Sequence, residues 1–169
     1  MKVTQKHLRK VWMLCFMCFA FLASAQYSIL NTGFEEGLPA GWVIENGVGT
    51  ASWTHDATDT GNELPAKAYA GTADMLFFVD GVTSMQTSKL LTPKLDLTNF
   101  SNVGVGAPLL TFSYANTGRI LDGNAFVDTL RIYGRAQETD AWTLLKTIDK
   151  SHDAWTKDTI ELKNYAQYT

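Results

Sequence analysis

Ser88-Lys89-Leu90-Leu91-Thr92-Pro93-Lys94-Leu95-Asp96-Leu97-Thr98 is the stretch on which the fold turns. Apolar side chains alternate on both sides of Pro93, at Leu90 before it and at Leu95 and Leu97 after it. A period of two is the signature of a strand with one buried face. Proline has no N–H to give to a ladder, so Pro93 either ends the first strand or sits on a sheet edge. Two short strands, 85–91 and 94–97, are expected around it.

The same pattern spreads outward in both directions. Toward the C-terminus, Leu109 to Asn116 alternates with Leu110, Phe112 and Tyr114 on one face and Thr111 and Ser113 on the other. Asp122-Gly123-Asn124 is turn chemistry. In residues 126–135, Leu130 and Ile132 point one way and Thr129, Arg131 and Tyr133 the other. Residues 142–148 and 155–162 complete the set. Toward the N-terminus, Met75-Leu76-Phe77-Phe78-Val79 reads as an apolar strand, and shorter strands are expected at 51–54, 42–44 and 27–30. Gly37, Pro39 and Gly41 mark a loop. No window of useful length carries apolar residues at helical spacing, so the expected class is all-β, a sandwich or barrel.

The first 25 residues do not belong to that fold. Lys2, Lys6, Arg9 and Lys10 precede an almost wholly apolar run, 11–23, and Ala23-Ser24-Ala25 is a small-x-small site. This is a cleavable export signal, with processing expected before Gln26. The run is too short to span a bilayer comfortably, which takes about 20 residues, so no membrane insertion is expected after cleavage. Cys15 and Cys18, the only cysteines, leave with the leader, so the C-x-x-C spacing carries no redox or metal meaning. Four of the 14 basic residues leave as well and none of the 17 acidic ones, so residues 26–169 carry 10 against 17, a formal net charge of −7. That balance disfavours nucleic acid as a partner. The location implied is secreted or bacterial cell surface. One domain's worth of chain remains, held without disulfides. Its last residues, Tyr165 to Thr169, begin an extended pattern and stop, so a closing strand is expected to be missing and the domain to be cut short at its C-terminus.

The order of motifs resembles a known family. Phe34-Glu35-Glu36-Gly37-Leu38 with Trp42 is similar to the opening of MAM domains and of the related cleaved-adhesin domains of bacterial surface proteins. Trp53-Thr54, the 75–80 strand, Ser88 to Leu95, Leu110-Thr111-Phe112-Ser113-Tyr114, Leu130-Arg131-Ile132-Tyr133, Trp142-Thr143-Leu144 and Trp155 with Thr159 to Leu162 resemble the family's later landmarks in order. The resemblance implies a jelly-roll β-sandwich, concanavalin-like, that binds rather than catalyses. Animal MAM domains carry paired cysteines where this chain has Pro39 and other non-thiols, which favours the bacterial branch. The family's closing strands, with their acidic residue, have no counterpart here.

Site residues follow from the resemblance and from the residues themselves. Family members often hold a structural calcium ion through the acid after the opening aromatic, which is Glu35 here. Asp56, with Asp59, Asn62 and Glu63, forms an oxygen-rich loop that would add ligands. Calcium demands six to eight oxygens, and Thr58 and Thr60 break any EF-hand pattern after Asp56. His55-Asp56 and His152-Asp153 are neighbours in sequence, and neighbours on a strand face opposite ways, so neither is a catalytic dyad. No nucleophile motif occurs, and Asp128 with Glu138 is a pair any acidic chain offers. Trp42, Trp53, Trp142 and Trp155 are expected as core anchors; one that proved exposed would offer a platform for a sugar ring. The expected function is a non-catalytic adhesion or binding module for an extracellular glycan or protein, its ligand residues unknown. An accessory domain of an exported hydrolase and a structural spacer are the alternatives.

Overall fold

The computed structural model describes residues 28–57, 67–79, 84–100, 106–121 and 123–165. Residues 1–25, expected as a cleavable leader, and the candidate ligands Asp59, Asn62 and Glu63 lie outside them. The described chain is all-β, about 42% strand with almost no helix. Its strands are β1 (Val43–Asn46), β2 (Trp53–Asp56), β3 (Asp74–Phe77), β4 (Ser88–Leu91), β5 (Leu109–Asn116), β6 (Arg119–Leu121), β7 (Asn124–Phe126), β8 (Leu130–Gly134), β9 (Thr143–Ile148) and β10 (His152–Glu161). Two single 3-10 turns, Thr98–Phe100 and Lys163–Tyr165, complete the elements.

All pairings are antiparallel and nested. β1 pairs with β4 and encloses the β2–β3 pair; β5 pairs with β10 and encloses β6–β7 and β8–β9. This is compatible with a β-sandwich. Each clamp closes a long stretch of chain, which costs loop entropy that local hairpins avoid.

Pro93 resolves its alternatives by ending β4. Leu90 and Leu91 pair with Ile44 and Val43, and the ladder stops there. Pro93 then packs against Gly41, where an added Cβ would lie 3.1 Å from the proline ring and φ is +82°. Residues 94–97 keep the alternation in burial, with Leu97 buried and Asp96 exposed, but they pair with no strand. The reason is local: Pro93 withholds a donor, and Asp96 Oδ1 accepts from Thr98 N (3.0 Å) and Thr98 Oγ1 (2.5 Å), bending the chain into the 3-10 turn. Residues 28–30 are likewise irregular rather than a strand.

The C-terminal clamp is the longer ladder. Leu110, Phe112 and Tyr114 share the inner face of β5 with Ile160, Asp158 and Thr156 of β10, as the alternation requires, and Tyr114 is buried. Thr111 and Thr159 meet on the outer face, their hydroxyls 3.3 Å apart. β6 and β7 turn over two residues, with Gly123 at φ +76°, the conformation a tight hairpin demands and glycine gives freely. β8 and β9 carry a bulge: Leu130, Arg131 and Ile132 pair with Ile148, Thr147 and Lys146, then Tyr133 pairs with Leu144, leaving Leu145 unpaired. On the inner side Ile148 is buried, and Lys146 forms an ion pair with Asp158 of β10. Ala73, Val79 and Leu97 are the buried apolar residues of the N-terminal half. The halves are tied by Trp155 of β10, whose Nε1 donates to Lys67 O (2.6 Å) while its ring meets Tyr69 edge-on at 6.1 Å.

Candidate functional site

Two regions have geometry beyond that of a structural strand. One is the corner around Glu35. Phe34 sits at φ +62°, a left-handed conformation that is an outlier for a bulky side chain. Three contacts hold it there: its N–H donates to Thr32 Oγ1 (3.1 Å), its carbonyl accepts from Gly37 N (3.0 Å), and its ring lies edge-on to Trp42 at 5.2 Å. The twist sends Glu35 across to the segment before β3, where Oε2 accepts from both Thr72 N and Thr72 Oγ1 at 2.9 Å. Gly71, at φ +77°, is required: a Cβ there would lie 2.0 Å from Glu35 Oε1. The Thr72 N–H and then its hydroxyl hold the Glu35 carboxyl below the ordinary glutamate range, with a smaller pull from the charge on His55. Residues 32–40 curl around a cleft of about 440 Å³.

Asp56 stands opposite Asp74 at the end of the β2–β3 ladder, and Asp74 follows Thr72 by two residues. Glu35 and Asp56 therefore lie toward one end of that strand pair. Calcium needs six to eight oxygens, and among the described residues no three acidic, histidine or cysteine side chains converge as a metal site. One Glu35 oxygen is already committed to Thr72. Among the described residues, what Glu35 forms is a tether between the opening loop and the segment before β3.

The other region is the outer face of the β8–β9 pair. Arg131 and Tyr133 of β8 stand opposite Thr147 and Leu144 of β9, and just beyond the ladder Arg135 meets Trp142. The bulge creates this set. Strict alternation along β9 would place Leu144 with Lys146 and Ile148 on the inner side; the extra residue at 145 turns Leu144 outward instead. Tyr133 is 46% exposed, Leu144 50% and Trp142 41%. The Arg135 guanidinium lies 4.3 Å from the Trp142 ring centre, and its Nη1 donates to Glu138 O (2.6 Å).

Trp142 thus departs from the expectation of a core anchor. The other three tryptophans are half-buried and packed: Trp42 lies against Phe34, Trp53 lies against Phe77 at 5.6 Å and donates Nε1 to Ser88 O (3.2 Å), and Trp155 joins the halves. His55 pairs with Met75 in the β2–β3 ladder, and His152 meets the Tyr114 ring edge-on at 5.3 Å. Asp128 and Glu138 flank opposite ends of β8, whose five residues span about 17 Å; paired glycosidase carboxylates sit within about 10 Å. The outer-face stripe was half visible in the sequence, since Arg131 and Tyr133 were placed opposite Leu130 and Ile132. Its partners on β9 were not, because a bulge leaves no mark in hydropathy.

No protein-family model matches the chain, and no curated protein and no solved structure shows significant similarity to it.

Proposed function

We propose that residues 26–169 form a binding module of MAM or cleaved-adhesin type, a jelly-roll sandwich exported by the leader 1–25, which recognises an extracellular glycan or protein and performs no catalysis. The observation that carries this is the outer face of β8–β9. Tyr133, Leu144 and Trp142 form a contiguous apolar strip on a sheet whose other side already faces the core, and a monomer gains nothing in stability by leaving such a strip in water. Aromatic rings beside fixed polar groups are what a sugar or protein surface needs for both area and orientation. The order of sequence motifs and the nested antiparallel pairs support the fold; the basic, apolar and small-residue segments of 1–25 support export.

The test is a glycan array and a panel of extracellular proteins probed with the purified chain and with Trp142→Ala. Retention on at least one ligand, weakened in the variant while its melting temperature holds, is the expected result. Blank arrays for the wild-type chain, or retention that Trp142→Ala leaves untouched, would remove the proposal.

A further inference from the structure

We propose that the outer face of the β8–β9 pair is a platform for a uronate-bearing polysaccharide, in which Arg131 and Arg135 take sugar carboxylates and Tyr133, between them, stacks on a sugar ring. This rests on the binding-module reading above and names the ligand class for the same face.

Charge is the first argument. The chain is acidic overall, with 17 acidic against 14 basic residues, yet the outward positions of these two paired strands carry Arg131 and no carboxylate, and Arg135 follows just past the end of β8. Lys146, the only other cation on the pair, is withdrawn to the inner side by its ion pair with Asp158. The acids of the connecting loop, Glu138 and Asp140, form no ion pair with either guanidinium. Asp140 Oδ2 accepts from Gln137 N (3.0 Å), and Arg135 meets the carbonyl of Glu138. Among the described residues neither arginine pairs with a carboxylate, and the exposed Arg131 side chain makes no hydrogen bond. An acidic domain that keeps two guanidinium forks unneutralised on one face presents a local field suited to an anion.

Geometry is the second argument. Arg131 and Arg135 are four residues apart, a reach of up to about 13 Å along an extended chain, with Tyr133 midway in sequence. That spacing addresses charges repeated along a chain rather than a single ion. Arg135 is fixed in advance by the Trp142 ring and the Glu138 carbonyl, with most of its five donors still unused. Trp142 is therefore a positioning residue for Arg135, and Tyr133 is the open ring. A planar guanidinium meets a carboxylate through two parallel hydrogen bonds, and Tyr133 with Leu144 offers the apolar face of a sugar its counterpart. A peptide strand would add in the plane of the sheet, at the outer edges of β8 or β9, which pair only with each other among the described strands, and not on this side-chain face.

The experiment measures binding of the full chain to polygalacturonate, to neutral dextran and to polyglutamate at low and moderate salt. Polygalacturonate alone should bind well, and more weakly as salt rises. Arg131→Gln and Tyr133→Ala should each raise Kd about tenfold or more, with melting temperatures unchanged. Arg131→Lys, which keeps the charge and loses the fork, should fall between. Equal binding to polyglutamate, or binding indifferent to Tyr133→Ala, would overturn the inference in favour of a general polyanion effect. Binding to dextran that depends on Trp142 would also overturn it while leaving the binding-module proposal intact. No binding to any of the three overturns it as well, and the array decides separately whether the broader proposal survives.

Discussion

The two strand clamps solve the same problem with different chemistry. β5 and β10 run eight and ten residues and are held by a long ladder, by alternating inner side chains and by the Lys146–Asp158 ion pair beneath it. β1 and β4 have four residues each. Where their ladder stops, side-chain oxygens continue it: Thr87 Oγ1 accepts from Val48 N (2.7 Å), and Gln86 Oε1 accepts from Thr50 N (2.7 Å) and Ala51 N (2.9 Å). Glu35 does the same for Thr72. Glycine-rich loops interrupt alternation in this half, so backbone donors that a strand would have used need other acceptors. The difference has a functional corollary. The C-terminal half is secured from its inner side, so its outer face is free to carry Tyr133, Leu144 and Trp142, whereas the polar side chains of the N-terminal clamp are occupied in holding it.

The sharpest way to break that contrast is to delete packing from the longer-laddered half. Ile148 is 5% exposed and stands opposite Leu130. Ile148→Ala should cost about 2–5 kcal/mol, read from urea unfolding. Val43, on the short clamp, is 50% exposed, and Val43→Ala should stay within about 0.5 kcal/mol. Equal losses would mean that apolar packing supports both halves alike.

A smaller effect is expected from the polar clamp. Gln86→Ala strands the N–H groups of Thr50 and Ala51, and should cost about 1–2 kcal/mol, most of it from the part-buried Ala51 donor. Hydrogen exchange at these two amides should quicken well before the rest of the chain is affected. Gln86→Glu keeps the acceptor and should restore most of the protection. Unchanged exchange in Gln86→Ala would show that the short ladder closes this turn unaided.

Much of the strand inventory was legible. Leu109 to Asn116 alternates cleanly and forms β5 with the bounds its pattern implies, and Leu130 with Ile132 faces inward as read. What failed did so for nameable reasons. Residues 94–97 have strand alternation but follow Pro93 and run into the Asp96–Thr98 turn, so burial persists without pairing. The face of β9 was hidden by its bulge, since hydropathy registers side-chain type and not the count of residues facing a partner. Glu35 could be singled out from its motif, but its acceptor role could not. That role depends on Phe34 in a left-handed conformation and on Gly71 and Thr72, far along the chain, and nothing in the local sequence of either segment announces the meeting. Trp142 differs from the other tryptophans only in its surroundings, which alternation through a bulge misassigns.

The smallest effect belongs to Glu35, because an exposed carboxylate is screened by water and salt. Its sign is still definite. Thr72 stabilises the charged form, so the folded pKa lies below the ordinary value of 4.5. The tether is therefore fully present above that value and is lost as pH falls through the lowered one. Asp158, held down chiefly by Lys146, and Asp96, held down chiefly by the Thr98 hydroxyl, act in the same direction, so acid sensitivity alone does not isolate Glu35. The comparison with Glu35→Gln does. Near neutral pH the variant should melt slightly below wild type, and as pH falls from 4.5 through the lowered pKa the two melting curves should converge. A constant gap across that range would show that Glu35 acts through its shape rather than its charge. A chelator provides the complementary measurement. A tether made of Thr72 hydrogen bonds is indifferent to it, whereas a drop in melting temperature seen in wild type and absent in Glu35→Gln would mean that the carboxylate holds calcium instead, with Asp56 the first residue to test beside it.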